Sequence, residues 1–233
     1  NQTYSEIEHI IIDGGSSDDT IEIVNSFGDG KPVFISEPDN GIYDAINKGI
    51  KQASGDIIGI LNTDDEYYAE NVIEHVVHIF QKENIDGVYG DLVYVSRENT
   101  NSVIRRWKAG YFTDDKLPKG WMPPHPALFI KKTVYNKYGM YDTSYSISAD
   151  YDFILRMLGK YKISVSYLPE ILIKMRLGGK SNTGLKNIIQ KRVEDYRAIK
   201  NNKAGGLLTL IYKNFSKIRQ FWIFPGNTII QQI

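Results

Sequence analysis

Two adjacent carboxylates follow a short apolar run in the first third of the chain. Residues 57–62 are mostly apolar and suit a buried strand, and Asp64 and Asp65 come directly after them. Neighbouring like charges repel each other unless a cation lies beside them. Hard divalent cations such as Mg²⁺ take oxygen ligands, typically one or two protein carboxylates together with substrate phosphates. The pair therefore indicates a cation site, and the alternative is a solvated turn that caps a helix near Glu70.

Other residues that could do chemistry lie at the ends of predicted elements. Asp13 ends an apolar run before a Gly-Gly turn, where it could accept hydrogen bonds from a nucleobase or ribose, or only cap the next helix. Asp150 and Asp152 open a predicted helix, whose dipole favours the ionised carboxylate that a general base needs; the alternative is two helix caps. His125 lies between two prolines and could orient an acceptor or a phosphate, although a lone histidine is more often structural.

Alternating strand and helix signals in the first 110 residues position these side chains. Apolar runs at 8–12, 32–36, 56–61 and 87–95 alternate with helical periodicity at 16–27, 41–53 and 70–82. Repeated strand–helix units of this kind predict an α/β fold, a mostly parallel sheet with helices on both faces. Ligands bind beyond the carboxyl ends of the strands in such sheets, where Asp13 and the Asp64–Asp65 pair are expected. The second helix should bury Ile42, Ala45, Ile46, Gly49, Ile50 and Ala53, and the third should turn Val72, Val76, Ile79 and Phe80 inward.

The rest of the chain indicates antiparallel strands and then helices. Residues 102–107 are predicted to pair with 92–96 as a hairpin, and 120–132 form a proline-stiffened loop that enters a strand. Two further strands are expected at 163–168 and 171–177. From residue 183 onward two basic helices are predicted, with a break near 201–206.

Composition excludes several classes of function. The formal net charge is zero and there are no cysteines, which argues against a nucleic-acid-binding protein and excludes thiolate metal sites and a cysteine nucleophile. No run reaches the length of a membrane span, and the N-terminus has no signal-peptide pattern. Residues 181–233 carry nine Lys/Arg and two Asp/Glu, a local charge of +7. An acidic body with a basic tail suggests a cation site in the first part and an anionic surface for the second.

Four segments, in this order, resemble the motifs of the inverting family-2 glycosyltransferases with the GT-A fold. The segment "IIIDGGSSDDT" is similar to the first nucleotide motif, and "NGIYDAINKGIKQASGDIIGILNTDD" to the stretch that leads into an Asp-x-Asp-type metal motif. The segment "GMYDTSYSISADYDFILRM" resembles the one that carries the catalytic base, and "MRLGGKSN" resembles the loop near the donor diphosphate. The resemblance covers residues 8–182 and is to bacterial members that build O-antigen, capsule or exopolysaccharide repeats.

The resemblance implies a fold and a reaction. The fold is a GT-A (Rossmann-like) catalytic domain over 1–182 with a small antiparallel acceptor-side part, followed by a basic helical segment over 183–233. The reaction transfers a sugar, with inversion, from a nucleotide-diphosphate sugar, expected to be a UDP-sugar, to a hydroxyl of a glycan or lipid-linked acceptor. It requires Mn²⁺ or Mg²⁺. The family begins with a strand and a helix upstream of "NQTYSEIEHIII", so we expect this chain to be part of a longer protein.

The resemblance also implies a role for each matching residue. These roles are Asp13 at the donor base, Asp64 at the ribose and metal, Asp65 as principal metal ligand, Asp150 as the base that deprotonates the acceptor, and Arg176, Lys180 and Ser181 near the diphosphate. His125 and Asp152 remain acceptor-side candidates without an assigned role.

The chain departs from the family pattern at three positions. Gly14 stands where a second Asp is usual, Asn62 replaces the first Asp of the metal motif, and Ala149 precedes Asp150 where Glu is common. The last departure leaves one candidate for the base. No Gln-x-x-Arg-Trp motif occurs, so processive synthesis is not expected.

The basic tail has two interpretations. Residues 207–224 combine apolar side chains with Lys213, Lys217 and Arg219, a composition that suits a helix lying on an anionic membrane. The alternative is a helix packed on the catalytic domain or on a second copy of the chain in an oligomer. The first interpretation predicts a cytoplasmic protein that also binds the inner face of the membrane.

Three rival functions use similar acidic strand ends. A sugar-nucleotide nucleotidyltransferase would want a Gly-rich, Arg-containing phosphate loop, which is not visible here. A magnesium-dependent phosphohydrolase or receiver-like phosphoacceptor would not explain the segments "ADYD" and "GGKSN". A non-catalytic nucleotide-sugar binder is the third.

Overall fold

The computed structural model describes residues 2–27, 32–178 and 184–219. Its strands are β1 (Ile10–Asp13), β2 (Val33–Ser36), β3 (Ile57–Gly59), β4 (Asp65–Tyr67), β5 (Gly87–Val95), β6 (Val103–Trp107), β7 (Leu128–Lys131) and β8 (Val165–Arg176). Its α-helices are α1 (Thr20–Asn25), α2 (Ile42–Gln52), α3 (Val72–Lys82), α4 (Lys132–Tyr138), α5 (Ala149–Ile154), α6 (Leu185–Asn201) and α7 (Leu207–Arg219). Short 3₁₀ turns cover Asp114–Lys119 and His125–Ala127, and a π-helical stretch, Leu155–Lys160, continues α5.

The strands form two sheets. Strands β1 and β2 pair in parallel, and a six-stranded sheet has the order β3-β7-β5-β8-β4, with β6 paired to β5. The predicted α/β class is confirmed. The pairing differs in detail from a mostly parallel sheet, because β5–β8 is the parallel pair of the larger sheet and its other described pairs are antiparallel. The predicted hairpin of β5 and β6 is present.

Side chains that alternate along the central strands face two separate cores. Tyr89 of β5 contacts the rings of Trp121 and Tyr167 and belongs to the core that also contains α5 and part of α6, whereas its neighbour Val88 belongs to a second core with Val72 and Val76 of α3. This alternation follows from the pleat, since successive side chains of a strand point to opposite faces. The predicted inward face of α3 is confirmed at both valines, which are 3% and 1% exposed.

Helix α2 is present as predicted, but its buried face is rotated in part from the predicted one. Ile50 and Ala53 are buried as predicted, and Tyr43 and Asn47 are buried as well, whereas Ile42 is 53% exposed. Apolar spacing alone favoured Ile42. It does not show that the Tyr43 hydroxyl and the Asn47 amide form hydrogen bonds with the carbonyls of Ile147 and Tyr141 inside the protein. This rotation aims Tyr43 at the start of α5.

One prediction about the strands was wrong. Residues 165–176 form a single strand, β8, where two strands separated by Pro169 were expected. The register against β5 shifts between Tyr89 and Asp91, and such an irregularity accommodates a proline that cannot donate a ladder hydrogen bond. Gly90 lies at this point, where a Cβ would come within 2.5 Å of Leu172. The continuous strand carries Arg176 to the end of the sheet beside β4.

The two predicted C-terminal helices are present and contact the rest of the protein. Helix α6 packs against α5, and α7 packs against α6 and the 3₁₀ turn Asp114–Lys119. Lys213 of α7 is buried, forms an ion pair with Asp195 of α6 at 2.7 Å, and lies over the ring of Tyr151. Among the described residues no helix is long and apolar enough to cross a membrane.

Candidate active site

Asp13 ends β1 with its carboxylate directed into the following turn. Its oxygens accept hydrogen bonds from the Ser16 hydroxyl at 2.5 Å, the Ser36 hydroxyl at 2.6 Å, and the backbone N–H groups of Ser16 and Gly15. These bonds, led by the two serine hydroxyls, lower the pKa of Asp13 to about 2. The carboxylate therefore stays ionised at physiological pH and organises the turn between β1 and α1, which is compatible with both interpretations made from the sequence.

Gly14, the first departure from the family motif, lies against another carboxylate. A Cβ at position 14 would come within 2.4 Å of Asp39 Oδ2. Asp39 comes from the loop between β2 and α2, and its other oxygen accepts the N–H of Gly41 at 2.8 Å. The space where a second Asp side chain would begin is therefore occupied by an Asp from elsewhere in the chain.

Asp64 and Asp65 differ in their surroundings. Asp64 is exposed in a turn, whereas Asp65 begins β4 and is 9% exposed. The amide of Asn62 donates a hydrogen bond of 2.8 Å to Asp65 Oδ2. Helix α3 begins at Val72 after Asn71, so neither carboxylate caps it. This placement disfavours the helix-capping alternative for both residues, and burial separates Asp65 from the exposed turn of Asp64.

Burial dominates the electrostatics of Asp65. It raises the pKa of the Asp65 carboxyl, and the charge of Asp64 adds to this effect. The hydrogen bond from Asn62 and the charge of His125 act in the opposite direction without cancelling it. A buried carboxyl with a raised pKa would gain from a nearby cation, which favours its ionised form.

Arg176 lies at the end of β8 beside this carboxylate. Strands β4 and β8 are antiparallel, with Asp65 opposite Met175, so Arg176 follows the residue that pairs with Asp65, and its backbone lowers the pKa of the Asp65 carboxyl. The Arg176 side chain is exposed, so it is available to an anionic ligand. Lys180 and Ser181, predicted to lie near the same ligand, fall outside the described residues.

Asp150 lies in the first turn of α5, and both of its oxygens face polar side chains. Its Oδ2 is 3.3 Å from His125 Nδ1, and its Oδ1 is 3.2 Å from the Tyr43 hydroxyl. The Asp150 side chain is 19% exposed, so one side remains open to solvent. His125, whose role the sequence left open, is thereby placed beside the candidate base.

The charges around Asp150 keep it ionised. Burial raises the pKa of the Asp150 carboxyl. The positive charges of His125, Lys213 and Lys191 outweigh that effect, so the pKa lies below its ordinary value. Lys191 and Lys213 belong to α6 and α7, so the C-terminal helices contribute to the electrostatics of the candidate base.

Tyr43 links α2 to the segment that precedes Asp150. Its hydroxyl donates a hydrogen bond of 2.6 Å to the carbonyl of Ile147. A tyrosine hydroxyl has one proton, which this bond directs to Ile147, so the Tyr43 oxygen can accept a hydrogen bond from Asp150 once that carboxylate has been protonated. Sequence reasoning missed Tyr43, and the only available signal was the Tyr in the resembling segment "NGIYDAINKG".

Asp152 contacts residues other than those around Asp150. It is 6% exposed, its Oδ1 accepts the amide of Asn202 at 2.8 Å, and its Oδ2 lies 3.4 Å from Arg156 Nε. These contacts tie α5 to the end of α6. They favour the capping and packing interpretation of Asp152 over an acceptor-side role.

The side-chain oxygen atoms between β3 and the start of β4 fit a hard divalent cation whose remaining ligands come from a bound molecule. Asp64, Asp65 and the Asn62 amide offer oxygen atoms, and the raised pKa of Asp65 marks a place where positive charge is favourable. Within residues 2–27, 32–178 and 184–219, no group of three or more His, Asp or Glu side chains is arranged to hold a metal ion. A cation here would therefore need further oxygens, such as those of a diphosphate.

Comparison with known proteins identifies the family of the chain. The family model of Glycosyl transferase family 2 matches residues 1–139. A PGL/p-HBAD biosynthesis glycosyltransferase of Mycobacterium tuberculosis is 32% identical over 197 residues, covering 82% of this chain and 74% of that protein. An uncharacterized glycosyltransferase of Rickettsia typhi is 30% identical over 206 residues, covering 85% of this chain and 62% of that protein.

Solved structures share the fold at low sequence identity. The Staphylococcus aureus TarS 1–349 structure in complex with UDP-GlcNAc has a TM-score of 0.61 and 14% identity, covering 91% of this chain. The mannosyltransferase PcManGT from Pyrobaculum calidifontis, in complex with GDP-Man and Mn²⁺, has a TM-score of 0.62 and 15% identity, covering 95% of this chain. This chain spans 62% and 64% of those two solved chains. Because the family model matches residues 1–139 and the mycobacterial relative is 32% identical, the chain belongs to glycosyl transferase family 2.

Proposed function

We propose that this protein transfers a sugar, with inversion, from a nucleotide-diphosphate sugar to a hydroxyl of a glycan or lipid-linked acceptor. The observation that carries the proposal is the position of Asp150, ionised, partly exposed, and held between His125 and Tyr43. The charge of His125 also acts on Asp65. His125 therefore influences the pKa of both the candidate base and the candidate metal ligand.

The chemistry follows from the groups around Asp150. The carboxylate accepts the proton of the acceptor hydroxyl, whose oxygen attacks the anomeric carbon as the bond to the nucleoside diphosphate breaks. The configuration at that carbon inverts because attack and departure occur on opposite faces. Protonated Asp150 can then donate a hydrogen bond to the oxygen of Tyr43, whose O–H is donated to the Ile147 carbonyl. Tyr43 and His125 orient the carboxylate without themselves taking the proton of the acceptor.

The leaving nucleoside diphosphate needs positive charge. Arg176 supplies it from the end of β8, next to Asp65. Asp65 and Asp64 would hold Mn²⁺ or Mg²⁺, which supplies charge neutralisation to the departing diphosphate when bound. In our proposal Lys180 and Ser181 lie near the same diphosphate.

The donor is proposed to be a UDP-sugar. The structures named above contain UDP-GlcNAc and GDP-Man, so the fold is compatible with either base, and fold similarity does not select one. We place Asp13 at the base and Asp64 at the ribose. The proposed biological setting is bacterial surface polysaccharide synthesis, in keeping with the segments that resemble O-antigen and capsule enzymes.

Contact with the membrane through α7 is a further part of the proposal. The face of α7 that carries Leu207, Leu208 and Phe215 is 63–67% exposed at these residues. The opposite side, with Thr209 and Lys213, is buried against the protein. An exposed apolar helix face in a basic segment suits an anionic membrane, so we place the protein at the cytoplasmic face of the membrane, where lipid-linked acceptors occur.

A donor screen tests the proposed function directly. UDP-, GDP- and dTDP-sugars are incubated with the protein and Mn²⁺, and release of nucleoside diphosphate is measured with and without hydroxyl acceptors. We expect release with one class of donor, and expect Asp65→Ala to remove it. Binding of a nucleotide sugar without any release would instead support a non-catalytic binder. Formation of a nucleotide sugar from a sugar phosphate would support a nucleotidyltransferase.

A further inference from the structure

A buried carboxylate of helix α6 binds the loop that precedes the helix of Asp150. Glu194 is 7% exposed, and its two oxygens accept three consecutive backbone N–H groups, from Ser146 at 3.1 Å, Ile147 at 2.8 Å and Ser148 at 3.0 Å. Consecutive N–H groups around one anion form a strong and directional site. Burial raises the pKa of the Glu194 carboxyl, but these hydrogen bonds outweigh it and lower that pKa.

The same loop is held from its other side by α2. Ile147 donates its N–H to Glu194 and accepts the Tyr43 hydroxyl at its carbonyl, at 2.6 Å. Ser148 is the N-cap residue of α5 and makes no capping hydrogen bond with its side chain. Glu194 therefore supplies, from a distant part of the chain, polar contacts at the helix start two residues before Asp150.

Other contacts attach α6 to the protein independently of Glu194. Asn202 donates to Asp152 at 2.8 Å, and Asp195 forms a buried ion pair with Lys213. Ala198 and Ile199 are fully buried in the core. The loop contact is thus one of several attachments, and its loss need not release the helix.

We propose that Glu194 is a positioning residue for the reaction, which sets the orientation of Asp150 by fixing the three N–H groups ahead of α5. The inference rests on the proposed role of Asp150 as the base. Glu194 does not touch the reacting atoms. It acts through the loop, so that the Asp150 carboxylate faces His125, Tyr43 and the acceptor hydroxyl together. Both acidic residues lie beyond residues 1–139, which the family model matches.

The experiment compares Glu194→Gln with a matched change on the same helix. Glutamine keeps the shape of the side chain but replaces one accepting oxygen with an NH₂ group that cannot accept from an N–H. Glu194→Asp keeps the charge and withdraws the carboxylate by one methylene, as a second variant. Ile199→Val, the control, removes one buried methyl group of α6 and none of the loop hydrogen bonds.

Three measurements are made on each variant. These are kcat and KM for sugar transfer, the Kd of UDP in the presence of Mn²⁺, and the ring signals of His125 in a ¹H–¹³C spectrum. The chain has four histidines, so His125→Gln identifies the His125 signals. Because His125 Nδ1 is 3.3 Å from Asp150, a displaced carboxylate changes these signals whether or not the protein turns over.

We expect Glu194→Gln to lower kcat by about 10- to 100-fold, since a displacement of about 1 Å costs up to about 100-fold. The UDP Kd should stay within about twofold of the original value, and the His125 signals should move. The kcat of Glu194→Asp should lie between those of the unmodified protein and Glu194→Gln. Ile199→Val should keep both the kcat and the His125 signals of the unmodified protein. Wild-type kcat and unmoved His125 signals in Glu194→Gln would overturn the inference, as would an equal loss of kcat in Ile199→Val.

Failure of the proposed function itself looks different. In that case the unmodified protein would transfer no sugar from any donor. The His125 signals of Glu194→Gln would still decide whether Glu194 orients Asp150.

Discussion

The amide of Asn62 donates a hydrogen bond of 2.8 Å to Asp65 Oδ2, so the residue that departs from the usual metal motif binds the carboxylate of that motif. An Asp at position 62 would instead place a third negative charge next to Asp64 and Asp65. The amide orients the buried carboxylate and lowers its pKa against the effect of burial. The departure therefore keeps Asp65 available to a cation.

Asn62→Ala should weaken metal binding in a pH-dependent way. Without the amide hydrogen bond, the pKa of Asp65 rises further, so protons compete better with Mn²⁺ for the carboxylate. We expect about a tenfold higher Mn²⁺ requirement, with a larger effect at low pH than at high pH. The measurement is the Mn²⁺ dependence of nucleoside diphosphate release across pH. The control is Thr63→Ala at the exposed neighbouring residue, and an equal response in both variants would contradict the role of Asn62.

Gly14→Ala should impair nucleotide binding through Asp39. The added Cβ would lie 2.4 Å from Asp39 Oδ2, so it must displace that carboxylate from its place next to the β1 turn. We expect about a tenfold weaker UDP affinity by calorimetry, the cost of about 1.4 kcal/mol. The matched control is Gly55→Ala, where the nearest described atom is 4.0 Å away.

Moving the carboxylate provides the complementary test at this position. Gly14→Asp combined with Asp39→Gly restores one acidic side chain to the same region and should recover UDP affinity relative to Gly14→Ala. Unchanged UDP affinity in Gly14→Ala would show that Asp39 plays no part in binding.

Lys191→Met should move the acidic limb of the pH–rate profile upward. The charge of Lys191 lowers the pKa of Asp150, so its removal raises that pKa and leaves the base protonated up to a higher pH. Since the base works ionised, kcat/KM at low pH falls while the value at neutral pH changes little. The stability linked to this lowered pKa is present above the unfolded-state pKa and is lost as the pH falls through the folded-state pKa. The variant should therefore retain less of this stability.

A control on the same helix isolates the electrostatic effect. Lys186→Met removes an exposed charge of the same helix, and Lys186 is not among the groups that most affect the pKa of Asp150. A shift of equal size in both variants would point to the net charge of the helix, and no shift in Lys191→Met would argue against Asp150 as the titrating base.

Polar substitutions on the exposed face of α7 should reduce membrane binding. Leu207→Ser with Leu208→Ser removes two side chains that are 63% and 67% exposed, so the fold should tolerate the change. We expect less sedimentation with vesicles that contain anionic lipid, and little binding of either form to neutral vesicles. The control pair is Ile23→Ser with Phe27→Ser, which are 59% and 53% exposed elsewhere. Equal sedimentation of all forms would remove the membrane from the proposal.

Local pattern predicted much of the fold. The strand β5, the hairpin with β6 and the inward face of α3 follow from alternation, turn residues and helical spacing that lie within about a dozen residues of each other. The continuity of β8 through Pro169 could not be predicted in this way. It depends on the register shift opposite Gly90, which belongs to another strand.

Local pattern also predicted some residues of the candidate site but not the contacts between them. Asp65 was visible because a charge at the end of an apolar run is locally anomalous, and Asp150 because it opens a predicted helix. The contacts of Asp150 with Tyr43 and His125 join residues far apart in the chain, and so does the binding of Glu194 to the loop before α5. Neither spacing nor composition reports such contacts, since they arise only when the helices pack.

The turnover of Asp150→Asn tests the central claim most directly. Asparagine keeps the size of the side chain and its place between His125 and Tyr43, but it cannot accept the acceptor proton as a base. The measurement is kcat for sugar transfer, with UDP affinity as a check that the donor site is intact. We predict a loss of about 10²- to 10⁴-fold in kcat with UDP affinity unchanged. Near-normal turnover in this variant would contradict the assignment of Asp150 as the catalytic base.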